Sequence, residues 1–131
     1  MSTRRLAHSL FALLSASCLF ISSGAVAEQP TSFTFTPTFK DPDPGKRHWE
    51  KWHGGYREIL PSGRVNTFKI EKQASVEGLH GTIVRKVEEP DFFVFIADSD
   101  APRKQLWWWR HSGSWNYMGV MKEISAPQRI D

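Results

Sequence analysis

The stretch FFVFIADSDAPRKQLWWWR, residues 92–110, decides the fold class. Phe92–Ala97 is apolar at every position, which is typical of a strand covered on both faces. Leu106-Trp107-Trp108-Trp109 also presents large apolar groups on both faces, because neighbouring side chains on a strand point in opposite directions. Asp100-Ala101-Pro102, between the two runs, is typical of a turn. The stretch therefore predicts two antiparallel strands in a mainly β protein.

Outward from this stretch, extended segments alternate with turn residues. Turn residues fall between the segments and no proline falls inside one, which favours an antiparallel meander. We predict six such strands, rolled into a small barrel or strongly curved sheet. The predicted strands are Tyr56–Leu60, Val65–Lys72, Thr82–Glu88, Phe92–Ala97, Gln105–His111 and Trp115–Ile124.

Two further elements are predicted before the meander. Ser32–Thr36 alternates, with Phe33 and Phe35 on one face, and its flanking prolines favour an edge strand. One short N-terminal helix is predicted between the start signal Asp43-Pro44 and the stop signal Gly54-Gly55. Between these signals Trp49, Trp52 and His53 have the i, i+3, i+4 spacing of a helix face.

The N-terminus has the pattern of an export signal. Arg4 and Arg5 precede an apolar stretch, and Ala25-Val26-Ala27 has the small-x-small form of a cleavage site. We therefore predict a signal peptide at residues 1–27, with no stable membrane insertion after its cleavage. The one cysteine, Cys18, lies inside this signal, so the mature chain has no disulfide. These features predict a periplasmic or secreted protein, of bacterial type.

The rest of the chain is predicted to form one small domain. A proline-rich N-terminal segment with the edge strand covers residues 28–46, and a β-meander domain covers residues 47–131. Without the signal the chain has 15 basic and 14 acidic residues, a net charge of +1. We therefore expect no nucleic-acid partner. About 100 residues are also too few for a large catalytic architecture.

The residue pattern predicts no catalytic group, metal or cofactor. On a helix His48 and His53 would lie about 140° apart, so they would not share one metal ion. A small hydrolase would need Asp98, Asp100 or His111 to converge in a pocket. The two aspartates fit a solvated turn better, so an enzyme is the less favoured class.

Three consecutive tryptophans are the sharpest functional indication, because they cannot all face one core. A two-residue loop at Gly113-Ser114 would pair Trp109 with Met118 and Trp108 with Gly119. Trp107 and Trp109 would then face the core, and the ligand-binding candidates Trp108, Arg110 and Tyr117 would share the other face. A three-residue loop would shift this pairing.

These observations predict an exported, non-enzymatic binding protein. Its aromatic surface or cavity would take a small apolar or sugar-like ligand. The alternative is a protein-interaction or inhibitor module that docks through its second aromatic face. We recognise no family in the sequence.

Overall fold

The computed structural model describes residues 28–40, 43–110 and 113–127. Within these residues all regular secondary structure is β-strand. In this described part of the chain, nine strands form one sheet. They are β1 (Ser32–Phe35), β2 (Arg47–Trp52), β3 (Gly55–Ile59), β4 (Val65–Val76), β5 (Leu79–Lys86), β6 (Phe92–Ala97), β7 (Gln105–Arg110), β8 (Asn116–Val120) and β9 (Lys122–Ser125).

The sheet is an antiparallel meander nearly closed into a barrel. Each strand from β2 to β8 pairs with the strand before it, and β9 pairs with β1 at the other edge. Only Met121 separates β8 from β9, so the chain itself bridges the two edges of the sheet. The backbone N–H of Thr38 also donates to the carbonyl of Met118 at 3.0 Å. The predicted mainly β, barrel-like meander is thus confirmed, but with nine strands rather than six.

Aromatic side chains fill the barrel interior around Trp49, which is fully buried. Its ring centroid lies 4.4 Å from that of Phe68, 5.5 Å from Phe33 and 5.8 Å from Tyr56. Phe33 and Phe35 are both buried, as their shared face on the predicted strand requires. Aromatic rings at these separations contribute packing energy beyond the area they bury.

The predicted N-terminal helix is wrong, because residues 47–52 form β2. Arg47 and Trp49 are buried while His48 and Glu50 are partly exposed, which is the period-two pattern of a strand. Trp52 is 38% exposed, so it does not share a buried face with Trp49. The helix-like spacing of the tryptophans was therefore misleading.

The glycine predicted to end that helix instead turns a β-hairpin. His53 and Gly54 have φ angles of 47° and 76° between the paired residues Trp52 and Gly55. Two consecutive positive φ angles are typical of a type I′ turn, which matches the twist of the flanking strands. Glycine takes this conformation without steric cost.

Two other expectations about the strands also differ from the structure. The strand at Ser32–Phe35 lies between β2 and β9, so it is not an edge strand. The predicted segment Trp115–Ile124 is divided into two strands at Met121, and the φ angle of Glu123 is 50° in the second. Together with the misassigned β2, these differences account for the larger number of strands.

The central strand is the best-predicted element, since β6 spans Phe92–Ala97 as expected. Its residues 94–97 are buried, so both faces are covered. On the outer face the ring of Trp115 lies 6.3 Å from that of Phe95.

The predicted signal peptide at residues 1–27 is outside the described part of the chain. In that part, no helix has the length and apolar character needed to span a bilayer.

Candidate functional site

A cavity of about 250 Å³ opens at one end of the barrel. Strand direction explains its lining, because the starts of β2, β4 and β6 and the ends of β3, β5 and β7 meet at this end. The lining residues combine aromatic and charged groups. They are Phe39, Arg47, Glu58, Arg64, Asn66, Phe68, Lys86, Glu89, Phe92, Trp108, Arg110 and Met118.

The floor of the cavity is a buried polar network centred on Glu58, which is only 2% exposed. Its Oε2 accepts from the Trp49 indole N–H at 2.9 Å and from the Arg47 guanidinium at 3.3 Å. Its Oε1 accepts from the Asn66 amide at 2.8 Å. A buried carboxylate with three donors is fixed in position, and its charge is balanced by Arg47.

One wall of the cavity is aromatic. The rings of Trp108 and Phe92 are stacked, with centroids 5.8 Å apart and planes 25° apart. Phe39 meets Trp108 edge-on at 6.2 Å. Trp108 is half-buried, so part of its ring is accessible from the cavity. Flat, partly accessible rings of this kind suit contact with a planar or sugar-like ligand.

The rim of the cavity carries charged side chains, two of which are basic and pair with Glu89. Glu89 binds the Arg110 guanidinium and accepts from the Lys86 ammonium at 3.4 Å. The hydrogen bond from Arg110 holds the pKa of Glu89 below its usual value, against the opposing effect of burial. Arg110 and Lys86 also lie 5.0 Å and 5.6 Å from the centroid of the Phe92 ring, within cation–π range. The charged rim and the aromatic wall are therefore in contact.

The structure brings together two of the three predicted binding residues. Trp108 and Arg110 lie two positions apart on β7 and both line the cavity. Tyr117 is elsewhere, with its ring 5.4 Å from that of Trp107, and it is 39% exposed.

The predicted pairing of the tryptophan strand is wrong. Trp108 pairs with Asn116, and Leu106 rather than Trp108 pairs with Gly119. The partner of Trp108 is already three positions from the predicted one at the described pair nearest to the connection, so the predicted two-residue loop does not set the register. A separate register shift between Leu106 and Trp107 adds one extra residue in β8. The interior face therefore contains the fully buried Leu106 together with Trp108, and the predicted assignment of Trp107 and Trp109 to the core is reversed.

Sequence reasoning missed the polar floor and Arg64. The sequence does contain an indication of the polar floor, because Tyr56, Glu58 and Leu60 alternate on one face of a strand. A lone glutamate among apolar residues requires hydrogen-bond partners once it is buried. Arg47, the ion-pair partner of Glu58, was not identified because its segment was predicted to be a helix.

Neither of the two aspartates considered for hydrolytic chemistry, Asp98 and Asp100, lines the cavity. Asp98 follows the end of β6 opposite to Phe92, and its Oδ2 lies 2.7 Å from Nδ1 of His80. Burial raises the pKa of Tyr56, and the charge of Asp98 adds to this effect. Asp100 is exposed in a turn, and His111 is outside the described residues. Among the residues described, no three His, Cys, Asp or Glu side chains form a metal-binding group.

The outer face of the sheet has an aromatic groove of its own, about 410 Å³ in volume. The Phe93 and Trp109 ring centroids are 5.2 Å apart there, and those of Trp109 and Trp115 are 6.2 Å apart. The Trp109 indole N–H donates to the carbonyl of Gly113 at 2.6 Å, so its polar atom is already satisfied.

Comparison of the chain with family models, curated proteins and solved structures found no match. Function must therefore be inferred from the geometry of the two aromatic surfaces.

Proposed function

We propose that the protein binds a small organic ligand in the cavity at the open end of the barrel, without catalysing a reaction. One observation carries the proposal: the accessible Trp108–Phe92 wall stands beside a polar floor whose groups are fixed by hydrogen bonds. Binding sites typically combine apolar walls with a few positioned polar groups.

The size of the cavity limits the ligand. Its volume of about 250 Å³ is slightly below the ~300–1,000 Å³ of typical pockets for drug-sized molecules. Aromatic side chains fill the barrel around Trp49, so a ligand does not extend through the interior. We therefore expect a small ligand, or one end of a longer one, with a flat apolar or sugar-like face against Trp108.

Native mass spectrometry of protein purified from its own host tests this proposal. We expect a retained small molecule that is lost in Trp108→Ala. Trp107→Ala is a matched control, because it removes the same side chain from the adjacent position on the opposite face of β7. Circular dichroism of each variant checks that it is folded. A ligand retained by Trp108→Ala and lost by Trp107→Ala would contradict the cavity site.

A second candidate function is docking of a protein partner on the outer aromatic groove. The cluster of Phe93, Trp109 and Trp115 favours it, because these rings are partly exposed and aromatic groups are enriched at binding surfaces. The groove contains Arg85 and Glu71 at 2.9 Å from each other, so charged groups flank the aromatic rings. Loss of partner binding in Trp109→Ala, with ligand retention unchanged, is the result this function predicts.

We also propose that the protein acts in the periplasm or outside the cell. The support is the sequence of residues 1–27, in which basic residues precede an apolar stretch and a cleavage site of small residues. N-terminal sequencing of the exported protein should begin at Glu28, and exported material that retains residues 1–27 would contradict this.

A further inference from the structure

We propose that the ligand of the barrel cavity is an anion: a small molecule with a flat apolar body and a carboxylate or similar oxyanion. This inference rests on the proposed function and specifies the chemistry of its ligand. The apolar body would lie against Trp108, and the anionic group would bind Arg64 at the rim.

The charges around the cavity favour an anion. Four basic side chains line it, Arg47, Arg64, Lys86 and Arg110, against two acidic ones, Glu58 and Glu89. A cleft lined by an excess of one sign raises the local concentration of the opposite ion. The lining therefore attracts anions and disfavours cations.

Both acidic groups are already occupied by protein donors. Glu58 accepts from Trp49, Arg47 and Asn66, and Glu89 is bound by Arg110 and Lys86. A ligand that offers donors alone would have to compete with these bonds. A ligand with an acceptor anion would leave them intact.

Arg64 is the basic group available to bind such an anion. It is exposed at the cavity, and its guanidinium has no hydrogen bond or ion pair with any of the described residues. Its backbone is held in the turn before β4, because its N–H donates to Ser62 Oγ at 3.3 Å and its carbonyl accepts from Leu60 N–H at 2.9 Å. The planar guanidinium matches a carboxylate with two parallel hydrogen bonds.

Calorimetric titration of the full chain with 2-naphthoate and 2-naphthamide tests the inference. The two probes share one ring system and differ in charge. We expect naphthoate to bind about tenfold more tightly, as a charge-assisted bidentate contact would allow. Arg64→Gln should abolish this preference by weakening naphthoate binding to the level of naphthamide binding. Arg103→Gln is the control, since Arg103 donates to the Glu77 carbonyl in the β4–β5 turn at the opposite end of the barrel.

Salt provides an independent readout. Raising NaCl from a low to a high concentration should weaken naphthoate binding and leave naphthamide binding unchanged, because screening acts only on the charged probe.

The outcomes separate this inference from the proposed function. Equal affinity for the two probes, or a preference that survives Arg64→Gln, would overturn the anion inference. If Trp108→Ala then weakens both probes, the cavity site itself stands. Absence of binding by either probe, or binding insensitive to Trp108→Ala, would contradict the proposed function as well.

Discussion

Glu58→Gln should destabilise the barrel strongly, because it removes a buried charge without changing the shape of the side chain. The carboxylate accepts from Asn66 through one oxygen and from Trp49 and Arg47 through the other. An amide has one oxygen and one NH₂ group, so at least one of these donors would face another donor. Arg47, only 6% exposed, would also lose its buried counter-charge.

The magnitude follows from these two losses. A buried donor left without an acceptor costs roughly 1–3 kcal/mol. Removal of one partner from a buried ion pair costs about 3–5 kcal/mol in total, because the other charge stays buried. We therefore expect Glu58→Gln to lower the free energy of unfolding by about 3–5 kcal/mol.

Urea unfolding followed by circular dichroism measures this change, and Glu50→Gln provides a matched control. Glu50 makes the same kind of pair with Arg57, but on the outside of the barrel, where its side chain is 29% exposed. Exposed pairs contribute little, so the control should lose under about 1 kcal/mol. Equal losses in the two variants would refute the reasoning that the interior network stabilises the barrel.

Two further predictions concern β2 and acid stability. Trp49→Ala should lower the free energy of unfolding in urea by about 3–5 kcal/mol, because it truncates a core side chain. Trp52→Ala, at a site that is 38% exposed, should lower it by under about 1 kcal/mol. Similar losses in the two variants would indicate that both residues share the buried face of a helix. Five carboxylates have lowered pKa values in the folded protein, so the unfolded state takes up protons first as the pH falls. Their stabilising effect should be complete above about pH 4.5 and lost as the pH falls through the lowered values. A melting temperature that stays constant from pH 6 to pH 3 would contradict this second prediction. These carboxylates are Glu50, Glu71, Glu88, Glu89 and Glu123.

The sequence predicted the elements whose local pattern agrees with their environment. Phe92–Ala97 is apolar throughout, and as β6 it is covered on both faces. Residues 47–52 were misassigned because the spacing of Trp49, Trp52 and His53 fits a helix, whereas Trp52 at the end of β2 and His53 in the following turn are both exposed. Hydrophobic periodicity does not reveal which aromatic residues end up buried, since that depends on strands distant in sequence.

The site was predictable in composition but not in geometry. Three adjacent tryptophans indicated that one of them had a role outside the core, and Trp108 with Arg110 does line the cavity. Their face was misassigned because the predicted two-residue loop put Trp108 opposite Gly119 instead of Asn116, and a displacement by an odd number of positions exchanges the two faces of a strand. Arg64 could not be placed there from sequence, since it is brought to the rim by the turn between β3 and β4.

The pairing of β1 with β9 sets the order in which the barrel can be assembled. Strands β2 to β8 each pair with the strand immediately before them, and such local contacts form quickly. Ser32 of β1 instead pairs with Ser125 of β9, which is separated from it by nearly the whole described chain. This pairing therefore carries the entropy cost of closing a long loop. Until residues 122–125 have been synthesised, β1 has an unpaired edge that can join a strand of another molecule. The interval before ring closure is therefore the period when this chain is most exposed to aggregation.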